Sequence, residues 1–378
     1  MDEYVFKQRM EESRKTHRIT EPELTPLLEQ AQKIYASSFD NRIWFERSLF
    51  INWTCGIADC KYCYLSTKPK KEMHALRSKA SILAEIVICK VMGWRIGYIT
   101  GGLRVESTAY LCDLMNDINK VLVSEEESKE QQGKKIRMNF GPYHRSEVEQ
   151  FAPFISGMGC AVESFDEALH SFICPSKPLK SLLNLLSTLK EKQLEKFITI
   201  ILGMGEHKDD VFTVIERVKQ YDIEMVQLCF LKPQEGTIFS EVESPDPHYM
   251  AWWIAQLRIA CPRLIIKIAL VKDRIRDVSL YLHAGANCFS RFMVFGDYGG
   301  PLAEELMAEC TKAGRMLEGQ FTGLPSSELL EIELAKLPFE GKLKEDIEKK
   351  ARQYRNRLLR LAEHPQMTVS NQAEDQEE

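Results

Sequence analysis

Three cysteines close together in the chain are the residues whose type and spacing most clearly predict chemistry. Cys55, Cys60 and Cys63 have the spacing C-x4-C-x2-C and follow the apolar run 49–53. Three thiolates this close repel one another and oxidise easily, and a bound metal is the main way to stabilise such a group in a cell. The spacing therefore predicts a metal centre.

The ligand set favours an iron–sulfur cluster over zinc. Structural zinc takes four ligands, commonly two C-x2-C pairs or a set of cysteines and histidines, and this segment offers a single such pair, Cys60 and Cys63. Iron–sulfur clusters prefer thiolates, and three thiolates leave one iron of a [4Fe–4S] cluster without a protein ligand. Two alternatives stay open: a cysteine-rich loop without a metal, and a zinc site completed by a distant residue.

The elements that must position this loop alternate between strand and helix patterns. Eight β-rich runs follow one another, at residues 49–53, 95–100, 135–140, 160–163, 196–202, 225–231, 264–270 and 286–292. Helical patterns separate most of them, as at 179–192, 211–220 and 249–260. Such alternation is typical of a parallel sheet. Eight units predict an α/β protein with a (β/α)8 TIM-type barrel, and a doubly wound open sheet is the alternative.

The segments on either side of the predicted barrel have helical and charged patterns. We expect an N-terminal helical segment at 1–45, the barrel at 46–325 and a charged helical extension at 326–363. Residues 364–378 form a polar, acidic tail that we expect to be disordered.

Composition narrows the classes of function. The 378 residues are 44% hydrophobic and 28% charged, with a formal net charge of −5, which is typical of a globular protein. This mild acidity argues against nucleic acid as a partner. The best apolar run, 81–94, is too short to span a membrane, and the first residues carry no secretory signal. The odd count of 11 cysteines argues against a disulfide framework. Together, these features lead us to expect a cytoplasmic protein without a membrane partner.

The cysteine loop resembles the cluster-binding loop of the radical S-adenosylmethionine (radical SAM) superfamily. There, too, three cysteines follow the first barrel strand, and an aromatic residue, here Tyr62, precedes the third. The usual spacing in that superfamily is C-x3-C-x2-C, so this chain has one additional residue in the first gap.

Later segments extend the resemblance over roughly residues 20–320. Gly101 and Gly102 end the second strand, where the superfamily has a Gly-Gly-Glu-like turn, with Leu103 in place of the acidic residue. Residues 199–206 (TIILGMGE) resemble the segment of biotin synthase, and of the related hydrogenase maturase family HydE, that packs beside adenine. Residues 230–237, 258–262 and 281–287 resemble further segments of both families.

The resemblance implies two cofactors, a [4Fe–4S] cluster on the three cysteines and S-adenosyl-L-methionine (SAM). Six residues are implied as SAM contacts: Tyr62, Gly101, Gly102, Glu163, Gly203 and Met204. An arginine that assists in contacting SAM in that family would fall at Leu182, so that contact is missing or is supplied by Lys180. Four residues at strand ends or in following loops are candidate substrate contacts: Asn139, Tyr143, Lys267 and Arg291.

The loop spacing on this scaffold is most similar to that of the HmdB family, radical SAM proteins associated with [Fe]-hydrogenase and linked to maturation of its iron-guanylylpyridinol cofactor. Runs 135–140 and 196–202 contain no cysteine, and Lys267 replaces an arginine, which disfavours the second cluster of biotin synthase. The resemblance implies reductive cleavage of SAM to a 5′-deoxyadenosyl radical that abstracts hydrogen from a small molecule, with ferredoxin or flavodoxin as electron donor. The alternatives are a non-catalytic, cluster-carrying scaffold for a hydrogenase-assembly partner and a zinc-stabilised barrel hydrolase.

Overall fold

The computed structural model describes residues 1–67, 76–122 and 136–365. Most of the predicted acidic tail, from residue 366 onward, lies outside these ranges. No helix of the described residues is both long and apolar enough to cross a membrane.

The centre of the fold is a closed barrel of parallel strands. The described strands are β1 (Arg42–Phe50), β2 (Arg95–Thr100), β3 (Ile136–Asn139), β4 (Ile155–Glu163), β5 (Glu195–Leu202), β6 (Met225–Phe230), β7 (Ile265–Ala269), β8 (Cys288–Ser290) and β9 (Met316–Glu318). Each of β1 to β7 pairs with the next strand in the chain, and β8 pairs back to β1. The short β9 adds to the first residues of β1. The predicted (β/α)8 TIM-type barrel is confirmed, and the open sheet is wrong.

The first strand lies earlier in the chain than its sequence pattern suggests. We expected it at 49–53, but β1 begins at Arg42 and ends at Phe50. Its Glu46 lies inside the barrel, where it binds Lys267 of β7 at 2.7 Å and Arg137 of β3 at 2.9 Å. A charged residue in an apolar run suggests an exposed position, and only barrel closure brings its buried partners to it.

Helices surround the barrel, and further helices precede β1 and follow β9 in the chain. They are α1 (Glu3–Thr16), α2 (Glu21–Ser38), α3 (Lys79–Met92), α4 (Thr108–Leu122), α5 (Arg145–Phe151), α6 (Glu167–Ile173), α7 (Leu179–Glu191), α8 (Asp210–Tyr221), α9 (Pro247–Ala260), α10 (Val278–His283), α11 (Val294–Asp297), α12 (Pro301–Lys312), α13 (Ser327–Ala335) and α14 (Gly341–Glu363). Helix α14 packs on α3, where the hydroxyl of its Tyr354 lies 2.7 Å from that of Ser81. The apolar side of this charged helix is therefore used inside the fold.

Two hydrophobic cores position the site. The larger fills the space between the strands and the outer helices. The smaller, here called the mouth core, comprises Phe6 and Met10 of α1, residues of α6 with Cys174 after it, Met204 after β5, and Leu231 and Phe239 after β6. Cys60 and Tyr62 of the cysteine loop pack against the mouth core. Helix α1 thus closes one side of the region into which the cysteine loop projects.

Candidate functional site

The cysteine loop, residues 55–63, leaves β1 at the carboxyl end of the barrel strands and is tied to the end of β2. The Asn52 side-chain oxygen accepts a hydrogen bond from the Gly102 N–H at 2.7 Å, and the Gly56 N–H donates to the Leu103 carbonyl at 2.7 Å. A Cβ atom on Gly102 would lie 1.5 Å from the Thr54 carbonyl oxygen, so only glycine fits there. The segment that approaches Gly102 so closely is the start of the cysteine loop.

The three loop thiols are neighbours with different surroundings. The Cys55 sulfur accepts hydrogen bonds from the N–H groups of Ala58 at 3.5 Å and Leu103 at 3.4 Å. Burial raises the pKa of the Cys63 thiol to about 11, and the adjacent Cys60 and Cys55 add to this increase. Backbone N–H bonds to sulfur are a common feature of thiolates that hold iron–sulfur clusters.

Cys60 contacts a fourth cysteine that sequence reasoning did not assign to the site. Its sulfur is hydrogen-bonded to Cys174 at the end of α6, and this bond lowers the pKa of Cys60 below its ordinary value even though burial opposes the change. Within the described residues, no three side chains of His, Cys, Asp or Glu already surround one point as metal ligands.

Glu163 ends β4 as a buried carboxylate held on one oxygen. The Tyr62 hydroxyl donates to its Oε1 at 2.6 Å, and the Lys177 ammonium donates to the same atom at 2.9 Å. The Oε2 atom is buried without a partner. The backbone of Glu163 has φ +62°, a conformation that costs energy for a residue with a Cβ and is concentrated at functional sites. The structure thus joins Tyr62 and Glu163 and leaves one acceptor oxygen available.

The cation beside Glu163 is Lys177, which the sequence did not single out. Leu182 is fully buried in α7, and Lys180 is exposed. Lys177 is 2% exposed, and although its burial opposes the charge, Glu163 and the nearby Cys174 and Cys60 raise its pKa above the ordinary value. Lys177 lies in a turn between two prolines, and nothing in that local pattern distinguishes it from a surface lysine.

The turn after β5 lies against α1 and the mouth core. The carboxylate of Glu206 accepts the N–H groups of Gly203 at 2.8 Å and Met204 at 2.9 Å. Burial raises the pKa of Glu206 to about 7. Arg9 of α1 donates to the Gly205 carbonyl at 2.7 Å. Gly203 and Met204 are therefore held in one rigid turn, and Met204 belongs to the same mouth core that Tyr62 contacts.

The four candidate substrate residues do not lie in one place. Asn139 ends β3 and lies inside the barrel, since a Cβ on Gly159 would be 2.8 Å from its Cγ. Arg291 directly follows β8, is exposed and has φ +64°. Lys267 is fully buried in its ion pair with Glu46, deep in the barrel. The ring of Tyr143 packs on the ring of Phe151 in α5, with 4.9 Å between the ring centres, and its hydroxyl is largely buried. Asn139 and Arg291 are the two that lie at the carboxyl ends of strands.

Comparison with known proteins relates this chain to a superfamily of enzymes. No family model matches the chain. It is 30% identical over 305 residues to the uncharacterised protein MJ0597 of Methanocaldococcus jannaschii. The aligned region covers 79% of this chain and 82% of that relative. It is 22% identical over 276 residues to the biotin synthase of Shewanella halifaxensis, and this aligned region covers 70% of the chain and 75% of that enzyme. The chain belongs to the radical SAM superfamily.

Solved structures of radical SAM enzymes share the fold. The FeFe-hydrogenase maturase HydG from Carboxydothermus hydrogenoformans superposes with a TM-score of 0.63 at 16% sequence identity, over 94% of this chain and 90% of that chain. This superposition shows the same (β/α)8 fold. Together with the biotin synthase relatives, it makes the chain a radical SAM enzyme. Membership of the superfamily implies an iron–sulfur cluster and SAM in general terms.

Proposed function

We propose that this radical SAM enzyme binds a [4Fe–4S] cluster through Cys55, Cys60 and Cys63 and uses it to cleave SAM reductively. The observation that carries the proposal is the position of the cysteine loop. It leaves β1 at the carboxyl face, where (β/α)8 enzymes keep their active sites, and its Tyr62 is hydrogen-bonded to Glu163 at the end of β4. Ligands for a cluster and a polar group for a second cofactor therefore lie at one barrel mouth.

The residues at the mouth fit both cofactors. Three thiols are the donors that an iron–sulfur cluster prefers, and two backbone N–H groups already point at the Cys55 sulfur. The free Oε2 of Glu163 is a buried acceptor, and leaving such an atom unpaired costs about 1–3 kcal/mol. A cofactor amino or hydroxyl group that donates to this atom would remove that cost.

A cluster held by Cys55, Cys60 and Cys63 would supply the one-electron reduction of SAM that starts radical chemistry on the substrate. Lys177 balances the negative charge of Glu163 and the thiolates, and so holds the carboxylate in one orientation. The turn at Gly203 and Met204, together with Tyr62, forms the wall proposed for the adenine. The mouth core excludes water on that side, which protects a reactive radical from side reactions.

We propose that the substrate is a small molecule bound above Asn139 and beside Arg291. Lys267 and Tyr143 are weaker candidates, because Glu46 already binds the first and α5 packs on the second. As the physiological role, we propose maturation of the iron-guanylylpyridinol cofactor of a hydrogenase, with ferredoxin or flavodoxin as electron donor. The loop spacing, which resembles that of the HmdB family, supports this role.

The test is anaerobic reconstitution with iron and sulfide, followed by measurement of 5′-deoxyadenosine after addition of SAM and dithionite. We expect 5′-deoxyadenosine from the wild type and none from Cys55→Ala, Cys60→Ala or Cys63→Ala, whereas Cys112→Ala, a remote thiol on α4, behaves like the wild type. Glu163→Gln should keep the cluster and lose turnover. A protein that holds the cluster but never releases 5′-deoxyadenosine would favour the scaffold alternative and contradict the proposal.

The substrate is found by deuterium transfer. Candidate pyridinol precursors, labelled with deuterium at each carbon in turn, are incubated with the active enzyme and SAM. Deuterium in 5′-deoxyadenosine identifies both the substrate and the position of hydrogen abstraction. If every pyridinol precursor leaves 5′-deoxyadenosine unlabelled while SAM cleavage proceeds, the proposed role in hydrogenase maturation is refuted and the radical SAM activity is not.

A further inference from the structure

A fourth thiol lies beside the cysteine loop. Cys174 is fully buried in the mouth core and is hydrogen-bonded to Cys60, which is partly exposed. All eleven cysteines are free thiols within the described residues. Cys60 and Cys174 come from segments far apart in the chain. One member is a proposed cluster ligand, and the other has no role in the function proposed above.

Backbone hydrogen bonds keep the two cysteines side by side. The N–H of Lys61, the residue after Cys60, donates to the carbonyl of Ile173, the residue before Cys174, at 2.8 Å. Cys174 is itself fixed at the end of α6, where its N–H donates to the His170 carbonyl at 2.8 Å. The ring nitrogens of buried His170 in turn lie 2.7 Å from the carbonyl oxygens of Val162 and Lys177. The contact between the thiols is therefore built into the fold rather than made by two flexible side chains.

Cys60 has two mutually exclusive partners. In the structure Cys60 packs against the mouth core, to which Cys174 belongs, and the described residues contain no ready-made set of three metal ligands. As a cluster ligand, Cys60 binds iron together with Cys55 and Cys63, and a sulfur in a disulfide bond cannot do so. The backbone bond between Lys61 and Ile173 brings the segments of Cys60 and Cys174 together, which a disulfide bond requires.

We propose that Cys60 and Cys174 are a redox modification site that forms a reversible disulfide in protein without its cluster. The inference rests on the proposed function only in assigning Cys60 to the cluster. The oxidant is a low-molecular-weight disulfide such as glutathione disulfide. The partly exposed Cys60 thiolate attacks it, a mixed disulfide forms, and one glutathione thiolate leaves. Cys174 then loses its proton, attacks the Cys60 sulfur and displaces the second glutathione thiolate, so that two protein thiols are oxidised and one glutathione disulfide is reduced to two thiols.

The modification has a direct consequence for the metal centre. A disulfide at Cys60 leaves Cys55 and Cys63 as the only loop thiolates, and two thiolates are too few for the proposed cluster. It also protects Cys60 from irreversible oxidation to sulfinic or sulfonic acid. The protein would then accept a cluster only after a reductant had opened the bond.

The experiment uses the full chain, freed of iron with a chelator under anaerobic conditions and incubated with glutathione disulfide. Disulfide-linked peptides are mapped by mass spectrometry before any iron is added. We expect the Cys60–Cys174 peptide pair as the predominant product in the wild type. Predominant pairs within the loop, or a Cys174 that stays a free thiol, would overturn the proposal. Because no cluster is present, this result is independent of radical SAM activity.

Iron uptake gives the second readout. Oxidised wild-type protein should take up about a tenth of the iron that reduced protein takes up, and dithiothreitol should restore uptake. In Cys174→Ala the reaction should stop at the mixed disulfide, so mass spectrometry should find glutathione on the Cys60 peptide, whereas Cys310→Ala, a buried and remote control in α12, should give the Cys60–Cys174 pair as the wild type does. A Cys174→Ala protein that carries no more glutathione on Cys60 than the wild type does refutes the assignment of Cys174 as the resolving thiol. Failure of fully reduced wild type to take up iron refutes the proposed function instead.

Discussion

Replacing Lys177 by methionine tests the arrangement that holds Glu163. The Lys177–Glu163 ion pair spans 2.9 Å, and the two side chains are 3% and 4% exposed. Removing one partner of a buried pair leaves the other charge uncompensated, which typically costs about 3–5 kcal/mol. We therefore expect Lys177→Met to lower the free energy of unfolding by that amount at neutral pH, a large part of the stability of an ordinary domain.

A double-mutant cycle separates this effect from lost packing. In Lys177→Met/Glu163→Gln both charges are gone, and the Tyr62 hydroxyl still has an amide oxygen to bind. Because neutral replacements of a buried ion pair are often tolerated, the double variant should recover at least about 2 kcal/mol relative to Lys177→Met alone. Lys180→Met, one turn away on the exposed side, is the control and should change stability by less than about 0.5 kcal/mol.

The assay is equilibrium unfolding in urea, followed by the fluorescence of the five tryptophans. The four proteins of the cycle and the control are compared at one pH and salt concentration. A loss below about 1 kcal/mol for Lys177→Met, or a double variant as unstable as the sum of its single changes, would refute the view that Lys177 exists to compensate Glu163.

Two further predictions concern the walls of the site. Gly102→Ala should abolish iron uptake, because its Cβ would lie 1.5 Å from the Thr54 carbonyl oxygen. Gly296→Ala is the control and should leave iron uptake unchanged, because the nearest neighbour of its Cβ would be 4.0 Å away. Normal iron uptake by Gly102→Ala would show that the loop does not need this contact. Burial raises the pKa of Glu206 from 4.5 to about 7, so its contribution to stability is complete below pH 4.5 and is lost as the pH rises through 7. Wild type should accordingly lose about 3 kcal/mol relative to Glu206→Gln over that window, measured by urea unfolding at several pH values, and parallel pH curves would contradict the assignment.

The sequence predicted the barrel because its strands have distinct local patterns. The nearly continuous apolar run 264–270 became β7, buried on both faces as parallel strands usually are. The first strand was predicted at 49–53, later than β1, because Glu46 and Arg47 interrupt the apolar pattern of β1. Their buried partners come from β3, β7 and α3, and no local window contains that information.

The candidate site was predicted only in part, for the same reason. Cys55, Cys60 and Cys63 are close in sequence, so their spacing alone suggested a metal centre. Lys177 and Cys174 lie in the turn between α6 and α7, and they reach the loop only because that turn folds back onto Cys60 and Glu163. Contacts between distant segments leave no periodic pattern, so the counter-ion of Glu163 was not predicted.

Electron paramagnetic resonance of the reduced, reconstituted protein with and without SAM tests whether one iron of the cluster is open to SAM. We expect a [4Fe–4S] signal that changes when SAM is added, because one iron has no ligand from this chain. The same change should occur in Cys174→Ala. A wild-type signal that SAM leaves unaltered would refute the open iron, and a response to SAM in Cys174→Ala alone would show that Cys174 closes the fourth position.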